Sequence, residues 1–278
     1  MASLILEGGT FRPIFSAGVM DALLDNDIML PYVIGVSAGI TNGFSYVSKQ
    51  KKRNLDILVN LRHDKRYIGK RNFLKCKSFV GLDFAYDEVP NKLYPFDREA
   101  LLKYNGKVLV GVTNAITGKA EYLDGKDVDS KCTMLRATCA IPLMFPVVNI
   151  NGTPYYDGGL ADPIPIRKAI SDGNDKHIII LTRPKEYRKE LSNSNVIVAK
   201  LFKKKYPNLR PILLNRHIEY NKTVSYCEEL ERRGKAIILR PTKAIDSLEK
   251  DIDTIKATYN MGYDMAIKYM DKIKEFID

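Results

Sequence analysis

Histidine is scarce in this 278-residue chain: His63, His177 and His217 are the only three, and none stands in an HExxH pattern. That narrows the proton-transfer schemes open to the protein and removes the commonest zinc-hydrolase signature. The four cysteines, Cys76, Cys132, Cys139 and Cys227, include no CxxC pair. A disulfide scaffold and a tetrathiolate zinc site are therefore disfavoured, and a reduced, cytosolic setting is expected. No window approaches the roughly 18 apolar residues of a membrane-spanning helix. The opening MASLILEGG loses its apolar run at Glu7 and two glycines and lacks a basic leader, so it does not read as a signal peptide. Neither GxxxxGK[ST] nor GxGxxG occurs, which leaves nucleotide binding without a motif. Repeats, linkers and low-complexity tracts are also missing.

What is present is an ordinary globular composition, with 45% hydrophobic and 28% charged residues. Collagen-like, mucin-like and largely disordered chains are excluded. The 44 Lys+Arg against 33 Asp+Glu leave a formal charge of +11, which turns attention to anionic partners, either nucleic acid or a membrane surface.

Hydrophobic patterning alternates between strand and helix. Ser3 to Glu7 reads as a buried strand, Ile14 to Leu24 as a helix, and Tyr32 to Val36 as a second strand running into a turn and another helix. That rhythm belongs to a parallel α/β sheet. Residues 49–105 read as a helical excursion over the sheet. Lys107 to Thr113 is a further strand, followed by a hairpin into Lys119 to Tyr122. Lys131 to Cys139 is expected to be helical. Asn151-Gly152 marks a tight hairpin between Val147–Ile150 and Thr153–Tyr156. Asp162 is placed as the N-cap of a helix reaching Ile170. His177 to Thr182 and Ala236 to Leu239 read as strands, with helices around 192–206 and 211–233 between them. The part from about 244 to 278 is expected to be amphipathic helix, broken near Asn260 to Gly262. A single domain spanning 1–278, with its chemistry within 1–182, fits this order.

Three motifs carry chemistry. Gly8-Gly9-Thr10-Phe11-Arg12 lies between the first strand and its helix. Glycines there free backbone amides at a helix N-terminus, as an oxyanion hole requires, with Arg12 stiffening the loop or adding positive potential. The same residues also fit a plain tight turn. Gly35-Val36-Ser37-Ala38-Gly39 is a GxSxG elbow in strand–turn–helix context, which would present Ser37 as a nucleophile; the competing reading is a helix-capping serine. Asp157-Gly158-Gly159 leaves a carboxylate at a loop tip beside two glycines, or forms an ordinary turn.

A serine nucleophile needs a base. His177 opens a strand, at the end opposite the carboxyl ends where parallel-sheet sites lie. His217 falls within a helix and His63 in the charged stretch RHDKR. The base is therefore sought among carboxylates, and Asp157 is the choice.

Gly8-Gly9-x-x-Arg12, Gly35-x-Ser37-x-Gly39 and Asp157-Gly158-Gly159, in that order, resemble the patatin-like phospholipases. The likeness extends to Thr138-Cys139-Ala140-Ile141-Pro142, Phe145-Pro146-Val147, Tyr155-Tyr156 and Asp162-x-Ile164-Pro165, and covers at least residues 3–182. The resemblance implies a three-layer α/β/α sandwich with a mostly parallel sheet, and a Ser–Asp dyad hydrolysing acyl esters of lipids with neither metal nor cofactor. Ser37 would be the nucleophile and Asp157 the base. Amides of Gly8, Gly9, Thr10 and Ala38 would hold the oxyanion, with Arg12, Gly35, Gly39, Gly158 and Gly159 supporting. The substrate would be a phospholipid or another fatty-acyl ester.

Two departures stand out. The family's loop is GGGxRG, whereas this chain has Thr10 for the third glycine and Pro13 after the arginine. Thr10 disfavours positive φ, and Pro13 offers no amide but suits the first turn of a helix. Oxyanion contacts are accordingly expected at Gly8 and Gly9 above all.

Basic stretches occur at 49–53, 62–77 and 203–205. They fit peripheral contact with an anionic membrane, or a solvated basic face. Nucleic acid is not expected, because no RNP, KH or zinc-finger pattern accompanies them. Besides the lipid hydrolase, two other functions suit the sequence: a basic membrane- or nucleic-acid-binding adaptor on the same fold, and an esterase acting on thioesters or small esters.

Overall fold

The structure, a computed structural model, describes residues 1–278 apart from the side chain of Lys70. The chain begins with β1 (Ala2–Leu6), α1 (Ile14–Asp25), β2 (Tyr32–Val36) and α2 (Ser37–Val47). The excursion follows as α3 (Arg53–Leu61), α4 (Lys70–Cys76), a π-helix over Phe84–Leu93 and α5 (Arg98–Lys103). Next come β3 (Lys107–Asn114), β4 (Ala120–Asp124), α6 (Thr133–Thr138), β5 (Val148–Ile150) and β6 (Thr153–Asp157). The remainder is α7 (Ile166–Ser171), β7 (Lys176–Ile180), α8 (Asn193–Leu201), α9 (Leu209–Arg232), β8 (Ala236–Leu239), α10 (Ile252–Lys268) and α11 (Met270–Ile277).

The eight strands form one sheet in the order β5-β6-β3-β2-β1-β7-β8, with β4 also paired to β3. Pairings from β3 through β8 along this order are parallel, while β4, β5 and β6 add antiparallel ladders at one side. The parallel strands are apolar almost throughout because both faces are covered. Alternate residues serve opposite layers. Leu4, Leu6, Ile178 and Ile180 join the core beneath α1, α2 and α10, whereas Ile5, Ile179 and Leu181 pack under α7 and α9. This is a three-layer α/β/α sandwich.

Two local expectations are corrected. Asp162 does not cap a helix: Tyr122 donates its hydroxyl to Asp162 Oδ2 at 2.5 Å, and α7 starts later, with Pro165 at its N-cap. Nor does the C-terminal helix break at Asn260 to Gly262. It runs unbroken through them and changes to α11 at Tyr269. Gly262 serves close packing instead: a Cβ there would lie 2.0 Å from Phe15 O, and one on Gly18 would lie 2.0 Å from Tyr259 O. α1 and α10 thus touch backbone to backbone. α6 is also shorter than expected, beginning only at Thr133.

Candidate active site

β2 is extended to its last residue, Val36, and the chain then reverses sharply, with Ser37 at φ +53° opening α2. A left-handed non-glycine residue costs about 1–3 kcal/mol and persists only where its surroundings enforce it. The surroundings here are close-packed. A Cβ on Gly39 would lie 2.4 Å from Glu7 O, one on Gly35 would lie 2.7 Å from Leu6 Cβ, and one on Gly8 would lie 2.9 Å from Ser37 Cβ. The Ser37 N–H donates to Thr138 Oγ1 at 2.8 Å, and the Thr138 hydroxyl donates to Gly111 O at 2.5 Å. Val36, not Ser37, stands at the N-cap of α2, and no side chain caps that end of the helix.

Register brings the carboxylate to the same place. Val36 pairs with Gly111 and Asp157 pairs with Val112, so β3 carries Ser37 and Asp157 on its two flanks at neighbouring positions. Ser37 is 6% exposed and Asp157 4%. Burial pushes the Asp157 carboxyl up; the Ser37 hydroxyl, the Arg216 charge and the Gly159 N–H oppose that shift. The Gly159 N–H donates to Asp157 Oδ1 at 2.8 Å, and Arg216 Nε donates to Gly159 O at 2.7 Å. Gly158 packs its Cα side against the β3 backbone, where a Cβ would meet Gly111 O at 2.2 Å.

The Gly8-Gly9-Thr10 turn sits beside this pair. Among the described residues the N–H groups of Gly8, Gly9 and Thr10 donate to no protein acceptor. Thr10 takes φ +57° despite its branched side chain, and Gly9 takes φ +153°. The Arg12 guanidinium covers Gly9, with Nη2 2.7 Å from where a Cβ would stand. Arg12 Nε also donates to Thr182 Oγ1 at 3.3 Å, and the Thr182 hydroxyl donates to Gly8 O at 3.0 Å. Pro13 occupies the N-cap of α1, where its missing N–H costs nothing.

The histidines lie apart from this pair. His177 is buried near the start of β7 with Nδ1 2.8 Å from Ser3 Oγ, and His63 is exposed. His217 belongs to α9, one residue beyond Arg216. Ser37 and Ala38 line a largely apolar cavity of about 220 Å³, walled by Phe11, Tyr67, Tyr86 and Phe145 among others. The excursion supplies much of that wall. Cys139 lies against Ser37, Thr41 and Tyr86, and burial raises its thiol to about 11.

Thr138, Arg216 and Tyr86 were not among the residues that the sequence singled out. Thr138 lay within the segment quoted for the family resemblance, whereas Arg216 and Tyr86 carry no local signal.

The patatin-like phospholipase family model matches residues 4–170, and a domain of unknown function, DUF6363, matches residues 206–278. Among curated proteins, the uncharacterized protein YjjU of Escherichia coli K12 is 24% identical over 190 residues, 66% of this chain and 52% of that one. The chain thus spans about half the length of that relative. A probable lipid hydrolase, 463L, of Invertebrate iridescent virus 6 is 26% identical over 249 residues, 78% of this chain and 83% of that protein. Among solved structures, VipD from Legionella pneumophila shares the fold with a TM-score of 0.52 at 13% identity, over 98% of this chain and 66% of VipD. With more than half of its length matched by the family model, and Gly8-Gly9, Ser37 and Asp157 all inside the match, the chain belongs to the patatin-like phospholipase family.

Proposed function

We propose that the protein is a carboxylic ester hydrolase acting on lipids, of phospholipase A or lysophospholipase type, with residues 1–278 working as one unit. The observation that carries this reading is the placing of Ser37, on a left-handed elbow, beside the buried Asp157 at the wall of an apolar cavity. The name of the viral relative points the same way.

In this mechanism Ser37 Oγ attacks the ester carbonyl while its proton passes to Asp157. Burial raises the carboxyl, bringing its proton affinity closer to that of the groups it serves. The oxyanion is met by amides that have no other acceptor, those of Gly8, Gly9 and Thr10, with that of Ala38 at the start of α2. Collapse expels the alcohol, which takes the proton from Asp157 and leaves an acyl-enzyme at Ser37. A water then attacks the acyl carbon and gives its proton to Asp157. The second collapse releases the fatty acid as the proton returns to Ser37 Oγ. Gly35, Gly39, Gly158 and Gly159 support by allowing the close approaches described, and Arg12 holds the turn.

Delivery of substrate is assigned to the excursion. Phe73, Leu74 and Phe79 are exposed, Leu74 at 87%, and Arg71, Lys75 and Lys77 stand exposed among them. Apolar tips ringed by cations suit the surface of an anionic bilayer. Among the described residues no helix is long and apolar enough to cross a membrane.

A fluorophosphonate probe should label Ser37. Ser37→Ala should abolish both labelling and p-nitrophenyl-ester hydrolysis while circular dichroism stays that of the wild type. Labelling of another serine, or an active Ser37→Ala protein, would overturn the assignment. Vesicle binding that survives Ser37→Ala in a protein without ester turnover would favour the adaptor reading.

A further inference from the structure

Four cations, Arg12, Arg183, Lys189 and Arg216, lie within electrostatic reach of one another. Arg12 lies over Gly9 of the turn. Arg183 follows Thr182, its guanidinium carbon 4.4 Å from the Tyr187 ring centroid, and its Nε is buried without a hydrogen-bond partner. Lys189 has Nζ 4.8 Å from the Tyr220 ring centroid. Its backbone is pinned to α9 by Asn221, which accepts the Lys189 N–H at 2.8 Å and donates to Lys189 O at 2.9 Å. Arg216 closes the arc at Gly159, beside Asp157. None of the four lines the apolar cavity.

The group carries more positive than negative charge. Among the described residues none of the four has a salt bridge within 4.0 Å. Glu7 is the facing carboxylate, and its oxygens are taken by the Thr182 N–H at 2.6 Å and the Tyr220 hydroxyl at 2.9 Å. Burial and then the charge of Arg216 lower Lys189 to about 8; Glu7 opposes this, and Arg12 and Arg183 add to it. Arg12 is lowered in turn by burial and then by Arg183. Half-buried like charges held together without an ion pair are costly, and perturbed groups of this kind mark candidate functional sites. Guanidinium forks match phosphate oxygens.

We propose that Arg183, Lys189 and Arg216, together with Arg12, form a phosphate-binding site that receives the phosphate of the substrate's alcohol portion while the acyl chain occupies the apolar cavity. The site selects esters whose headgroup carries phosphate with no compensating cation, since the quaternary ammonium of a choline headgroup would meet the same positive field. Arg183, Lys189 and Arg216 all lie outside residues 4–170, and Arg216 lies within 206–278, so the segment of unknown function supplies a specificity element. The proposal rests on Ser37 as nucleophile only for its headgroup part; the phosphate site itself does not.

The test has two arms on the full chain. In the first, kcat/KM is compared for 1-oleoylglycerol 3-phosphate, 1-oleoylglycerol and 1-oleoylglycerophosphocholine. The wild type should favour the first by about tenfold or more, and Lys189→Gln and Arg183→Gln should each shrink that ratio, while Lys189→Arg restores it. In the second, inorganic phosphate binding is measured calorimetrically, and either Gln variant should weaken it about tenfold. Phosphate binding lost in the variants without headgroup preference would assign the site to free phosphate and overturn the headgroup assignment. Binding without turnover of any ester would uphold the site and overturn the hydrolase. Equal turnover of the three lipids, with phosphate binding absent or unchanged in the variants, would overturn the proposal entirely.

Discussion

Thr138 holds the elbow to the sheet: its hydroxyl oxygen accepts the Ser37 N–H at 2.8 Å and its proton goes to Gly111 O at 2.5 Å. Through one side chain the strained residue is tied to β3, the strand against which β6 pairs Asp157.

Thr138→Val keeps the shape and removes both bonds, leaving a buried donor and a buried acceptor unpaired. A loss of about 2–6 kcal/mol is expected at about 1–3 kcal/mol per stranded group, read as a lower urea midpoint. Thr138→Ser should recover most of it. A neutral Thr138→Val would refute the account of how Ser37 is held.

Asp157 links activity and stability with opposite signs. Its folded pKa lies above the unfolded value, chiefly from burial. The stabilisation it provides is therefore present at low pH, when it is protonated, and is lost as pH rises through the folded pKa. The ionised form, which accepts the Ser37 proton, burdens the fold. Asp157→Asn should raise Tm while cutting ester hydrolysis by about 10²–10⁴-fold. A lower Tm would contradict the sign.

The acid limb of kcat/KM for a neutral ester should fall as pH drops through a pKa above the ordinary carboxylate value of about 4. Arg216 opposes the upward shift of Asp157. Arg216→Met should therefore move the limb to higher pH, and an unmoved limb would show that Arg216 does not act on the carboxylate.

His177 is lowered from 6.5 to about 4, mainly by burial. Its neutral form is the one that folds, so its contribution is present above 6.5 and lost as pH falls from there towards about 4. His177→Gln should flatten the decline of Tm over that window and leave p-nitrophenyl-ester hydrolysis in place. Loss of hydrolysis in a folded His177→Gln protein would reinstate a histidine base.

Gly262→Ala should destabilise by about 1–3 kcal/mol through overpacking of α1 against α10. The added methyl would meet Phe15 O at 2.0 Å, and backbone cannot move aside as a flexible side chain can. Activity per folded molecule should persist, because the contact lies away from Ser37. Unchanged thermal unfolding would show that the two helices can separate cheaply.

The sequence by itself determined whatever depends on neighbours in the chain. Unbroken apolar runs such as Tyr32 to Val36 and Ala236 to Leu239 marked strands to the residue, because a strand covered on both faces needs no polar position. Asn151-Gly152, with φ +50° and +81°, marked the hairpin. The strand–turn–helix setting marked Ser37 in the same way. Tertiary structure decided what depends on contacts across the fold. Thr10 adopts the left-handed region that its side chain resists because the turn is held between β1 and the Arg12 guanidinium. Asp162 gives up a cap for Tyr122, and Gly262 packs a helix where local propensity reads a break. Arg216, on a helix far along the chain, reaches Gly159 only once α9 has packed on the sheet. Charge shows the same division. The +11 could be counted from composition, but only folding placed four cations within electrostatic reach of one another, because electrostatic interactions depend on distance and burial and not on order in the chain.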